Sequence, residues 1–142
     1  KYIVVTQIGL PPSAYNEVTK RENEKFEQKY GRLMNATVME AYDSFMLMCE
    51  AIKKAGSTDP DKMIDALENI KWTGMRGEYY FPYGSKNPVP ADKPAYMWHQ
   101  WPDVSEYLFQ YTEVGQKPED GTVIWPPKWS QLPKGQYFVP VK

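Results

Sequence analysis

The sequence is poor in the residues that do chemistry. It holds one cysteine and one histidine in 142 residues, so no disulfide can close within the chain and no Cys/His cluster can hold a metal. Cys49 sits in an apolar helical stretch, where a free cysteine behaves as a small buried hydrophobe rather than a reactive thiol. Positive charge is not in excess either. Lys and Arg number 17 against 18 Asp and Glu, which leaves no positive field for a phosphate backbone and sets nucleic acid aside as a partner. Long hydrophobic runs are missing as well: "FMLMC" at residues 45–49 is far short of the roughly 20 residues of a membrane span. No phosphate-binding or dinucleotide fingerprint occurs, because the glycines of "GMRG" do not follow a strand and open a helix. Glu40, Asp43 and Glu50 share helix spacings, but spacing alone does not separate an acid/base pair from surface charge. His99 stands in "WHQW", where ring stacking or a structural hydrogen bond explains it better than a catalytic triad. The expectation is a protein that is not an enzyme and has no cofactor. The chain opens on Lys1 with neither Met nor an apolar leader, which fits a processed protein or a piece of a longer one.

What is present reads as an α/β arrangement. "YIVVTQI" at residues 2–8 is β-branched and nearly continuous in apolar residues, the pattern of a strand buried on both faces in a parallel sheet. After "GLPPS", Ser13 is placed to cap a charged helix that runs to about Tyr30 and stops at Gly31. A second helix over residues 36–55 carries apolar side chains around most of its circumference and is expected to be central and buried. At "KKAGSTDPDKM" Gly56 can end that helix, while Asp59 and Pro60 can start a third. The third helix, about residues 59–69, shows one apolar face of Met63, Ile64, Leu67 and Ile70. From Trp72 the texture changes to short extended pieces, "GEYYF", "AYMWHQW" and "EYLFQYT", read as an antiparallel strand group. Residues 115–142 hold too many prolines for central strands and too many aromatics for disorder, so an extended surface tail is expected.

Aromatics are the compositional excess. Of 21 Phe, Trp and Tyr residues, 15 fall between Trp72 and Phe138, which suggests an interface, a carbohydrate platform or a wall behind a ligand cleft, with core packing taking up many of them. One reading open to the residues is a free-standing aromatic-rich module that binds a protein or glycan.

A second reading comes from motif order. The strand "YIVVTQI", the helix ending "EKFEQKYG", then "AYDSF" (residues 41–45), "EAIKKAGSTDPDKMIDAL" (residues 50–67) and "GMRGEYYF" (residues 74–81) together resemble the C-terminal part of the leucine/isoleucine/valine-binding protein family. Those are periplasmic solute receptors of ABC transporters with the type I two-lobed fold. The resemblance covers residues 1–112, and "IWPPKW" in the tail matches only loosely. It implies that residues 1–114 form the C-terminal portion of a two-lobed receptor, with 115–142 as a tail. It also implies a small amino-acid-like, amide or aromatic ligand, an ABC transporter permease as partner and a periplasmic location. Thr37 aligns with a cleft-lining position of the family, with Glu40 and Tyr42 as further ligand-binding candidates. Many receptors for branched amino acids carry an aromatic at that position, and Thr37 departs from it. Members of the family are more than twice this long, so the resemblance makes the chain a partial one. The expectation is that it self-associates in isolation or stays with a missing N-terminal portion.

Overall fold

The computed structural model describes residues 2–8, 10–103 and 106–140. They form two compact units, one joining the residues up to Tyr15 with those from Glu106 onward, the other running from Asn16 to Asp103.

The first unit is a three-stranded antiparallel sheet. Strand β1 (Ile3–Ile8) pairs with β4 (Glu106–Tyr111), and β4 pairs with β5 (Thr122–Trp125), giving the order β1-β4-β5. β4 takes the middle because alternate side chains, Tyr107 and Phe109, are buried with Val123 of β5, and Leu10, Tyr111 and Trp129 pack around them. A register shift between Leu108 and Phe109 marks a bulge against β5. The expectation of a parallel, doubly buried first strand is corrected here. β1 is antiparallel at a sheet edge, and Ile3, Val4 and Val5 are 60%, 39% and 40% exposed. A continuous apolar run shows that both faces favour burial, but it carries no information on the direction of the neighbouring strand.

The tail is tied to this sheet by side-chain amides acting as extra backbone. Val123 N–H donates to Gln131 Oε1 at 2.7 Å, while Gln131 N–H donates to the Val123 carbonyl at 2.9 Å. Gln110, nearly fully buried, accepts from Val139 N–H at 2.6 Å and donates to the Val139 carbonyl at 3.3 Å. Part of the stretch expected as a plain extended tail is therefore a paired strand, β5. The Trp125–Pro126 peptide bond is cis.

The second unit packs three helices around a small hairpin. Helix α1 (Glu17–Tyr30) ends at Gly31, α2 (Ala36–Ala55) at Gly56, and both glycines adopt the left-handed conformation. Each start is an oxygen-bearing side chain accepting from an amide of the first turn: Asn16 from Thr19, Asn35 from Val38, and Asp59 from Lys62 ahead of α3 (Pro60–Glu68). Ser13 is not the cap expected; it lies in a 3-10 turn, Pro12–Ala14, and the helix waits for Asn16. The hairpin consists of β2 (Trp72–Gly74) and β3 (Gly77–Tyr79), joined through Met75 and Arg76.

Two further expectations change. α2 is not buried all round: Met39, Asp43 and Ala51 are inside, whereas Phe45 is 68% and Met48 46% exposed. "AYMWHQW" is not a strand. Ala95–Met97 is a 3-10 turn, and His99 has φ 53°, outside any strand conformation. Pro82, Pro88, Pro90 and Pro94 in the approach to it lack the amide protons a ladder needs.

Candidate functional site

The site in the second unit is built on the inward stripe of α2. Helical spacing carries Thr37, Glu40 and Asp43 round α2 in steps of about 60°, from its exposed side to its buried side, while Tyr42 falls about 140° the other way from Thr37. Asp43 is 1% exposed. Its Oδ1 accepts the Met75 N–H at 2.7 Å, and its Oδ2 accepts the Arg76 N–H and the Tyr79 hydroxyl, each at 2.9 Å. A buried carboxylate needs such donors, and the tip of the β2–β3 hairpin supplies two backbone amides in succession. The hairpin is held from the other side by α1: Asn16 Nδ2 donates to the Gly74 carbonyl at 2.9 Å, and Thr19 Oγ1 to the Met75 carbonyl at 2.5 Å. Gly74 has no substitute here. A Cβ would lie 2.6 Å from both Asp43 Oδ1 and the Trp72 ring.

Glu40, one turn before Asp43, takes the side chain of the same hairpin residue. Arg76 Nη1 donates to Glu40 Oε1 at 2.7 Å, with the guanidinium group nearly buried and Glu40 still 41% exposed. The guanidinium carbon lies 5.8 Å from the centre of the Trp101 ring, and that ring stacks on Tyr79 at 4.3 Å. Trp101 Nε1 donates to the Glu78 carbonyl at 2.9 Å. Arg76 Nε and Nη2 are buried without a partner among the described residues. Burial first, then the Asp43 carboxylate, raises the Tyr79 hydroxyl pKa, which keeps it a donor.

The three residues singled out from sequence occupy different places. Thr37 is exposed on the first turn of α2, and Glu40 is half-exposed and fixed by Arg76. Tyr42 is half-buried on the side toward Arg21 of α1. The structure thus groups Thr37 with Glu40 and sets Tyr42 apart. Asp43, Arg76 and Trp101 were missed as a working group. The available signal was a carboxylate in the middle of an apolar stripe, which must meet donors, and a Gly-x-x-Gly turn, which can present them.

A second polar cluster pins the proline-rich loop to α3. Glu68 Oε1 accepts the Ser85 N–H at 2.7 Å and the Ser85 hydroxyl at 2.8 Å, and His99 Nε2 lies 2.7 Å from the same oxygen. The Ser85 amide, then His99 and the Ser85 hydroxyl, bring the Glu68 carboxyl down to about 2. His99 therefore has the structural hydrogen bond expected of it, and its ring also packs on Trp98 at 4.7 Å. Among the described residues no group of His, Cys, Asp and Glu side chains is placed to hold a metal. No described helix is long and apolar enough to cross a membrane.

A helical unit clamped on a small hairpin, flanked in the chain by the strands of an antiparallel sheet, is a mixed α/β arrangement. The family model for periplasmic binding proteins matches residues 1–94, and the chain belongs to that family. A solved leucine-binding protein from Thermotoga maritima superposes with a TM-score of 0.59 at 21% identity, over 87% of this chain and 30% of its own. An ABC transporter substrate-binding protein from Desulfitobacterium hafniense in complex with Leu gives 0.59 at 18%, over 87% and 31%. A solute-binding protein of an ABC transporter from Rhodopseudomonas palustris BisB5, in complex with 3,4-dihydroxybenzoic acid, gives 0.55 at 19%, over 84% and 28%. The fold is that of type I periplasmic binding proteins, and the chain spans about 30% of the length of these relatives. A search of curated proteins finds no match.

Proposed function

We propose that the chain is the C-terminal portion of an extracytoplasmic solute-binding receptor, with residues 1–114 in the receptor body and 115–142 as its tail. The receptor closes two lobes on a small amino-acid-like, amide or aromatic ligand and presents it to an ABC transporter permease. The observation that carries this reading is the family match over residues 1–94. The bound leucine and dihydroxybenzoic acid of the solved relatives support the range of ligands without choosing among them. Catalysis has no part in the proposal.

Within it, Thr37, Glu40 and Tyr42 are the ligand-binding candidates. Thr37 offers an exposed hydroxyl on the first turn of α2. Glu40 offers a carboxylate oriented by Arg76, suited to an ammonium group, and Tyr42 is the peripheral member. Titration calorimetry on the natural-length protein against amino acids, short amides and aromatic acids tests the class, and no heat from any of the three would remove it. Thr37→Ala tests the placement: a hydrogen bond to the ligand is worth about tenfold in affinity, so unchanged affinity for the best ligand would remove Thr37.

A further inference from the structure

Between α3 and the proline-rich loop lies a small cavity of about 140 Å³, lined by Ile64, Leu67, Glu68, Phe81 and His99. We propose that it binds a compact primary ammonium compound with an apolar body, its ammonium group on Glu68 Oε2 and its body against Ile64, Leu67 and Phe81. It is formed by residues other than those proposed for the transported solute.

The volume suits a ring or branched chain of about six carbons, since an apolar cavity of about 150 Å³ admits benzene. The charge requirement comes from Glu68. Its side chain is 8% exposed, yet its two oxygens are used unequally. Oε1 takes all three contacts, from the Ser85 amide, the Ser85 hydroxyl and His99, while Oε2 accepts no hydrogen bond from the described residues. A carboxylate has acceptor sites on both oxygens. Lys86 of the loop does not satisfy the second one, because it pairs with Asp65. A carboxylate oxygen that meets no protein donor among the described residues and stays open beside three apolar walls therefore favours a cation that brings its own hydrophobic surface, over an anion of the same shape that it repels.

The arrangement is built into the loop. Gly84 approaches the carboxylate so closely that a Cβ there would fall 2.4 Å from Glu68 Cδ. His99 is held at φ 53°, with its N–H donating to the Tyr83 carbonyl at 3.1 Å. A non-glycine residue in that conformation persists where the surroundings over-determine the backbone, as they do at ligand clamps.

The test is calorimetric titration of the natural-length protein with benzylamine, using benzyl alcohol and benzoate as neutral and anionic controls. Benzylamine should bind saturably at one site, more tightly than benzyl alcohol, with benzoate silent. Glu68→Gln should weaken it about tenfold or more, the usual consequence of losing a charge-assisted hydrogen bond. That substitution also touches the Ser85 latch, so Ile64→Trp is the second variant: it fills the cavity from the partly exposed side of α3, leaves Glu68 intact, and should abolish binding. Several results would overturn the proposal: no benzylamine binding, equal binding of benzoate, binding unchanged in both variants, or displacement of benzylamine by the receptor's own solute.

Discussion

Replacing Asp43 is the sharpest test of how the second unit is held together. In Asp43→Ala three donors, the amides of Met75 and Arg76 and the Tyr79 hydroxyl, lose their acceptor at a position that is 1% exposed. Each buried donor left unpaired costs about 1–3 kcal/mol. With partial relaxation of the hairpin the expected loss is about 3–5 kcal/mol, the range found when one partner of a buried charged contact is removed. Asp43→Asn keeps the volume and one acceptor, so its cost should be about 2 kcal/mol. Tyr79→Phe removes one donor and should cost about 1 kcal/mol. Because Tyr79 and Asp43 share a bond, the double substitution should be less harmful than the sum of the singles. Urea denaturation of the natural-length protein followed by tryptophan fluorescence reads this directly, since Trp72 and Trp101 both contact the Tyr79 ring. A loss below about 1 kcal/mol in Asp43→Ala, or full additivity with Tyr79→Phe, would show that Asp43 is not the clamp.

Gly74→Ala places a methyl group 2.6 Å from the Asp43 carboxylate and the Trp72 ring; overpacking of this kind should cost about 1–3 kcal/mol, and an unchanged urea midpoint would contradict the geometry. The Glu68 carboxyl is depressed from 4.5 to about 2, so its contribution is fully present above pH 4.5 and lost as the pH falls toward 2. The Ser85 amide resonance, which reports the folded carboxyl, should titrate with a midpoint at about pH 2, and a midpoint near the ordinary carboxyl value of 4.5 would separate Ser85 from Glu68. The 142 residues in isolation should self-associate through β1 and the exposed apolar side chains of α2, Phe45 and Met48. Light scattering at several concentrations checks this, and a monomer with sharp cooperative unfolding would refute it.

Helices and their ends were legible because the signals are local. Gly31, Gly56, Asp59 and Pro60 act within a few residues of where they stand, and α2 spans the residues its apolar spacing predicts. Ser13 was a plausible cap only when read without Asn16, whose side chain serves Thr19 and also reaches the hairpin. That second contact is 58 residues away, and no local rule contains it. "AYMWHQW" misled for a different reason. Aromatic residues suit strands, but backbone direction there is set by Pro94 and the left-handed His99, and composition does not register either constraint.

The candidate site shows where such a sequence carries more than spacing rules extract. Met39, Asp43 and Ala51 lie at intervals of four and eight on the buried side of α2, so Asp43 occupies a core position by period and a surface position by chemistry. Those two facts conflict unless donors reach it, because an uncompensated buried carboxylate is too costly to keep. The chain could meet that need with amides at a tight turn, with a hydroxyl, or with a cation. "GMRGEYYF" offers all three within six residues, and the structure gives the amides and the hydroxyl to Asp43 and the cation to Glu40. Glu40 thereby becomes a fixed acid on the partly exposed side of the helix, beside Thr37. A charge that contradicts its helical period is thus the place to begin looking for a site, since the groups that resolve the contradiction also orient the side chains next to it.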